Sequence, residues 1–300
     1  MDCLIIGGGP AGLTAAIYLA RFRRQCLVVD MEASRASWIP VSHNLAGFPE
    51  GIAGPDLLEL MRSQAERYGA RIVRDKVELL TQSEHGGFVA VLGDGSRQPA
   101  KRVLLATGAK DVTPPLDLPD RKAAVKRGLL RYCPICDAYE VRGRKIALAG
   151  TGRCRVEEAL LLRGYTADLS LITLRDTWEL SAAERGRLSK DGIKIVEAPA
   201  VELMLEDEAL AVRTVDGSWH RFDALYVALG LRARSGLAVA LGVEPDLEGA
   251  LAVGAHQETS ISGLYAAGDV VQGLAQIAVA MGQAAIAATA IHNSLDPVRA

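Results

Sequence analysis

Cys3-Leu4-Ile5-Ile6-Gly7-Gly8-Gly9-Pro10-Ala11-Gly12-Leu13 decides the fold. Four apolar residues run into a glycine turn, and an alanine-rich stretch to Ala20 follows, which reads as strand, tight turn and helix. Gly7, Gly9 and Gly12 occupy the G-x-G-x-x-G positions in the strand-to-helix setting that the motif requires. Without side chains the backbone can approach a pyrophosphate, whose charge then rests on the helix N-terminus. A second apolar run, Cys26–Val29, ends in Asp30, about 20 residues beyond the motif, where an acid holds a ribose hydroxyl. The alternative is a glycine turn needed only for packing. The stretch marks a dinucleotide site but does not choose between FAD and a nicotinamide nucleotide.

Working outward, a second copy of the pattern lies downstream. Lys145–Ala149 reads as a strand, followed by Gly150-Thr151-Gly152-Arg153-Cys154-Arg155, a helix over Val156–Arg163 and a strand over Leu169–Thr173. The repetition predicts two nucleotide-type domains in an α/β fold. In this copy the third motif position, where a small residue lets helix approach sheet, is Arg155. Between the copies, Arg35–Gly54 reads as a long loop, Leu57–Tyr68 as an amphipathic helix, and Ile72-Val73 and Val77–Leu80 as strands. Phe88–Leu92 and the Asp94-Gly95 turn suggest a hairpin, and Val103–Ala106 is a further strand. Val112–Pro119 reads as a linker. Beyond the second copy, Val201–Val215 reads as strands around an acidic turn, and Ala224–Leu229 mirrors Val103–Gly108. The tail pairs Gly263–Val270 with an alanine-rich helix starting near Ala275.

Between the two glycine motifs stands Cys133-Pro134-Ile135-Cys136-Asp137. Two cysteines at this spacing can close a small disulfide ring and so store two electrons. Pro134 suits the first turn of a helix, and a helix starting there favours a thiolate, the reactive form. Asp137 adds a carboxylate able to carry a proton to or from sulfur. Half of a zinc site is the rival reading, but there is no second CxxC and no H-x3-5-H partner, so no metal site is expected.

Composition narrows the class. The chain is 49% hydrophobic, enough for a large aliphatic core, and 34 basic residues against 36 acidic give no reason to expect nucleic acid or an anionic membrane as partner. No apolar run reaches the roughly 18–20 residues that span a bilayer. The chain opens directly into the glycine motif rather than into a signal peptide, and five cysteines without an export signal argue for the cytoplasm. Cys3 and Cys26 lie in apolar runs and read as inert core residues. His43 and His292 read as ordinary hydrogen-bonded histidines, Cys154 as a small helix-start residue, Arg21, Arg23 and Arg24 as a solvated helix end, and Trp38, Trp178 and Trp219 form no pattern.

Taken together, Gly7–Gly12, Gly47-Phe48-Pro49-Glu50-Gly51, Ala106-Thr107-Gly108, Cys133–Asp137 and Gly263–Val270, in this order, resemble the low-molecular-weight thioredoxin reductase family of flavoproteins. The resemblance covers nearly the whole chain. It implies two Rossmann-type, doubly wound, three-layer domains, the second inserted into the first. The expected bounds are 1–113 and 233–300 for the FAD-binding domain, and 114–232 for an inserted NAD(P)-binding-like domain carrying the cysteine pair. By position, Gly7, Gly9, Pro10, Ala11, Gly12 and Asp30 are expected to hold the FAD diphosphate and adenosine ribose, and Gly268 and Asp269 the ribityl chain. Asn44, Gln276 and Ile277 are expected near the flavin ring, with Val77, Ala106, Thr107 and Gly108 as further cofactor contacts. Cys136 is expected to face the flavin, Cys133 to attack the substrate disulfide, and Asp137 to act as acid and base. A homodimer is implied, as is a thioredoxin-like protein or small dithiol as substrate.

The departures matter as much. NADPH-using members carry a His-Arg-Arg-x-x-x-Arg run for the 2′-phosphate, and here it reads Thr173-Leu174-Arg175-Asp176-Thr177-Trp178-Glu179. Leucine offers no donor, and a carboxylate opposes a phosphate. Arg155 crowds the pyrophosphate turn, and Ala275 replaces an arginine usual in those members. Asp137-Ala138-Tyr139-Glu140 looks like the branch that passes electrons to oxygen. The expectation is an FAD-dependent dithiol/disulfide oxidoreductase that uses NADPH poorly and has ferredoxin or O2 as redox partner. The alternatives are an ordinary NAD(P)H-dependent thioredoxin reductase, for which NADH would fit better than NADPH, and a non-catalytic flavin and thiol redox sensor. A monooxygenase is disfavoured by the cysteine pair.

Overall fold

Apolar runs too short for helices alternate with alanine-rich and amphipathic stretches, and the chain folds them into two compact α/β units. The computed structural model describes residues 1–150, 154–174 and 180–298, with the side chain of 154 left aside. One unit holds Met1–Ser37, Ile52–Lys110 and the chain from Leu231 onward; the other holds Trp38–Gly51 and Asp111–Gly230.

The chain begins with β1 (Cys3–Ile6), α1 (Pro10–Arg21), β2 (Cys26–Asp30), α2 (Gly54–Arg67), β3 (Arg71–Arg74) and β4 (Val77–Gln82). It continues through β5 (Phe88–Leu92), β6 (Arg97–Ala100), β7 (Arg102–Leu105) and β8 (Ala109–Asp111). The inserted unit contributes α3 (Arg121–Lys126), β9 (Leu130–Arg131), α4 (Pro134–Asp137), β10 (Ile146–Gly150), α5 (Cys154–Arg163) and β11 (Leu169–Ile172). It then adds α6 (Ala182–Lys190), β12 (Lys194–Ile195), β13 (Ala200–Leu205), β14 (Leu210–Thr214), β15 (Trp219–Phe222) and β16 (Ala224–Ala228). The tail holds β17 (Leu231–Ala233), α7 (Gly236–Ala240), β18 (Leu264–Ala266) and α8 (Ile277–Asn293).

In the first unit β18-β7-β1-β2-β3 form one parallel sheet, with Ile5 in register with Val28 and Leu104. Parallel strands are buried on both faces, which explains their unbroken apolar sequences. Cys3, Ile5, Val28 and Leu104 face one core with α1 and α8. The alternate residues Leu4, Ile6, Leu27 and Val103 face a second core closed by the antiparallel sheet β4-β5-β6. The outer layers are thus helices on one side and a three-stranded meander on the other. Ala11, Ala15 and Ala16 of α1 share their core with Ala280, Ala284, Ala287 and Ala288 of α8, and such small side chains bring helix axes close.

The second unit repeats the plan. Its parallel sheet runs β12-β11-β10-β16-β9. Ile146, Leu148, Leu169, Leu171 and Tyr226 pack under α5 and α6, while Ala147, Ile172, Leu225 and Val227 pack against β13-β14-β15. The stretch expected to be a linker is more than that, because Leu116 and Leu118 are buried in this second core.

In the basic cluster after α1, Arg21 and Arg23 are exposed, as expected of a solvated helix end, but Arg24 is not. Arg24 is buried and donates from Nη2 to His292 O at 2.9 Å, from Nη1 to Asp296 O at 2.8 Å and from Nε to His292 Nδ1 at 3.1 Å. It satisfies carbonyls at and just beyond the C-terminus of α8, which have no partners within the helix. His292, stacked on Phe22, belongs to this clamp. Arg24→Ala is expected to destabilise the protein by about 2 kcal/mol, read from the urea unfolding midpoint, whereas Arg23→Ala at the neighbouring exposed position leaves the midpoint unchanged.

Candidate active site

Cys133 is the N-cap of α4 and Pro134 takes its first turn, as the proline predicts. The Cys136 N–H donates to Cys133 O at 3.0 Å, and the two sulfurs are joined in a disulfide. The helix is a single turn running into a 3-10 turn over residues 138–141, so it offers local N–H groups and little summed dipole. Between the cysteines Ile135 is 59% exposed; Tyr139 is 60% exposed, with the Arg142 guanidinium 3.6 Å from its ring centroid.

Asp137 sits in a built setting. Its Oδ2 accepts from Arg131 Nη1 at 2.5 Å, and its Oδ1 accepts from the Tyr226 hydroxyl at 2.8 Å. Arg131 is itself fixed by its Nε donating to Gly128 O at 2.9 Å. Burial holds the Asp137 carboxyl above the usual carboxylate range, while Arg131 and Tyr226 pull it back down. Tyr226 lies wholly in the core, and burial first, then the neighbouring Asp137, push its hydroxyl far above the ordinary tyrosine value. It is therefore a proton donor in its hydrogen bond at every working pH.

In the first unit the glycine turn forms a cradle that side chains would fill. Gly7 has φ +111°, and a Cβ there would lie 2.3 Å from Ala106 O; a Cβ at Gly12 would lie 1.9 Å from Gly7 O. Gly9 caps α1 without a side chain and leaves the helix N-terminus open to an anion. Asp30 ends β2 beside Gly8, its Oδ1 accepting from the Glu32 N–H at 3.0 Å and its Oδ2 from Arg62 Nη2 at 2.8 Å. Each oxygen keeps a lone pair for a further donor. Thr107 Oγ1 donates to Arg234 O at 2.7 Å, and Gly108 O accepts the Arg234 N–H at 2.8 Å. From the tail, the Gly268 N–H donates to Gln283 Oε1 at 2.8 Å, Asp269 meets Arg35 Nη1 at 3.4 Å, and Gln276 caps α8 just before Ile277. A dinucleotide fits this arrangement: two chain segments, an open helix end and a ribose-level carboxylate.

Val77 starts β4 with its side chain in the core. Asn44, with Oδ1 accepting from Ser42 Oγ at 3.1 Å, belongs to the second unit, as do Cys133 and Cys136. Cys3 and Cys26 are free and buried; burial pushes the Cys26 thiol up to about 11 and the Cys3 thiol higher still. At the second glycine turn a Cβ on Gly150 would come within 2.7 Å of Arg155 Cβ, and Arg155 is buried. Arg153, the Cys154 side chain and the run 175–179 lie outside the described residues. Sequence reading did not find Arg35, Arg62, Gln283, Arg131 or Tyr226. Tyr226 stands 89 positions from Asp137, so only the fold joins them; Arg131, six positions before Asp137 and two before Cys133, was the one within reach of inspection.

A dinucleotide cradle and a redox-ready cysteine pair on two Rossmann-type units define a disulfide oxidoreductase. The chain matches the model of the pyridine nucleotide-disulphide oxidoreductase family over residues 1–284 and belongs to that family, among its thioredoxin reductase-like flavoproteins. It is a flavin-dependent, FAD-binding enzyme. It is 33% identical over 283 residues to a thioredoxin reductase of Streptomyces coelicolor, covering 90% of this chain and 86% of the relative. A thioredoxin reductase of Mycolicibacterium smegmatis is 34% identical over 280 residues, covering 90% and 88%. The crystal structure of HlmI superposes with a TM-score of 0.89 at 31% identity, covering 98% of this chain and 92% of that one. Among the described residues no helix is long and apolar enough to cross a membrane.

The burial pattern predicts how the thiols react. After dithiothreitol reduction, N-ethylmaleimide at neutral pH is expected to label Cys133 and Cys136, while Cys3 and Cys26 stay unlabelled until the chain is denatured. Peptide mass mapping reads the result.

Proposed function

We propose that the enzyme exchanges electrons between bound FAD and an external dithiol or disulfide through Cys133–Cys136, with Asp137 moving the proton. The observation that carries this reading is the disulfide at the start of α4 with a hydrogen-bonded carboxylate on the adjoining residue. In the reducing direction, the Cys133 thiolate attacks the substrate disulfide. A bond forms between Cys133 Sγ and one substrate sulfur, and the other sulfur leaves and takes a proton. Cys136 then attacks Cys133 Sγ, reforming the pair and releasing the second substrate thiol. Asp137 accepts a thiol proton and returns it to a leaving sulfur. FAD, when bound, supplies the two-electron store that resets the pair. Gly7, Gly9, Pro10, Ala11, Gly12 and Asp30 hold its diphosphate and adenosine ribose, Gly268 and Asp269 its ribityl chain, with Val77, Ala106, Thr107, Gly108, Gln276, Ile277 and Asn44 as further contacts. The substrate is a thioredoxin-like protein or a small dithiol.

The inserted unit is a poor NADPH site on this reading. Arg155, buried where the motif needs a small residue, supports it, as do Thr173 and Leu174 at the head of the phosphate run. Ferredoxin or O2 is then the redox partner. The names of the relatives favour a second reading, a thioredoxin reductase that draws on a pyridine nucleotide. Anaerobic absorbance separates the two. NADPH and NADH at micromolar concentration are expected to leave the flavin oxidised, while dithiothreitol bleaches it. Bleaching by NADPH within the mixing time overturns the first reading and establishes the second.

A further inference from the structure

Arg131 and Tyr226 approach the two oxygens of Asp137 from different strands. Arg131 ends β9 and is tied to Gly128 O; a Cβ on Gly128 would come within 2.8 Å of its Nη2. Tyr226 comes from the centre of β16, wholly buried beneath α5. The planar guanidinium and the rigid phenol fix the carboxylate at both ends, a degree of orientation that an exposed acid beside a disulfide would lack. We propose that Arg131 and Tyr226 are positioning residues that act through Asp137, orienting its carboxylate beside the Cys133–Cys136 pair and holding it ready as the proton acceptor in thiol–disulfide exchange. The assignment rests on the exchange reading given above.

The direction of the effect follows from the opposing forces. Burial favours the neutral carboxyl, and the Arg131 cation and the Tyr226 donor oppose it. Glu140, one turn on, pushes the same way as burial. Among the elements packed on α4, α5 carries Arg155 and the half-buried Glu158. Removing Arg131 or Tyr226 therefore lets burial prevail, and the carboxyl titrates at higher pH.

The test is the rate at which dithiothreitol reduces the pair in the FAD-loaded enzyme, read across pH by acid quench and alkylation of Cys133 and Cys136. One dithiothreitol sulfur attacks the pair and breaks its S–S bond; the second closes the reagent's ring and frees the other cysteine. Two electrons and two protons pass from the reagent to the two cysteines, and Asp137 carries one of the protons. The expected wild-type profile has a limb that Asp137→Asn lacks. Arg131→Gln moves that limb upward by about one pH unit, a tenfold change in proton affinity. Tyr226→Phe moves it the same way by less, and Arg131→Lys, which keeps the cation, shows only part of the Arg131→Gln shift. In the Asp137→Asn background Arg131→Gln moves nothing. The proposal is overturned if the limb stays in place in folded Arg131→Gln and Tyr226→Phe, if Asp137→Asn keeps it, or if the shift persists without Asp137, which would mean that Arg131 acts on the thiols directly. A wild-type pair that dithiothreitol does not reduce overturns the exchange reading itself.

Discussion

No side chain fits between β1 and α1 at Gly12. A methyl there would come within 1.9 Å of Gly7 O, so the absence of a Cβ lets the helix start directly over the end of the strand. That close approach points the free N–H groups of α1 past the end of the sheet, and it places Asp30, at the end of the neighbouring strand, against the same turn. The alanine faces of α1 and α8 extend the constraint, because a helix set this low on the sheet needs a close partner. The tail that supplies Gly268 and Asp269 is thereby fixed to the same site, with Gln283 of α8 holding the Gly268 N–H and Arg24 closing the far end of α8. One missing side chain thus organises both segments of the cradle.

The second unit carries a larger residue at the matching motif position. It keeps the parallel sheet, the glycine at the end of β10 and the helix beyond it, but puts a buried arginine at the third motif position. Hydrophobic packing under α5 and α6 holds this unit together. Function lives in the site and not in the fold that carries it.

Much of this was legible in the sequence because it is local. Strand, turn and helix at Gly7–Gly12, the duplication at Gly150 and the helix start at Pro134 all follow from neighbouring residues. What was not legible depends on contacts between distant ones. Arg24 reads as solvated until α8 is folded against it, and Tyr226 reads as one more apolar strand residue until β16 brings its hydroxyl to Asp137. Leu116 and Leu118 look like linker because prolines interrupt them, yet irregular backbone can still fill a core. The capping box at Ser181 and Glu184, which starts α6, was a local signal open to reading and shows that short, polar helices are missed when apolar periodicity alone is followed.

Two redox centres on one chain should behave as two. The most direct measurement is an anaerobic dithionite titration of the FAD-loaded enzyme, counting electrons to full reduction. The flavin and the Cys133–Cys136 pair each take two, so about four electrons per chain are expected, falling to about two when both cysteines are replaced by serine. A wild-type protein that is fully reduced by about two electrons, the same as the serine variant, would contradict the account, because the disulfide would then not exchange electrons with the flavin.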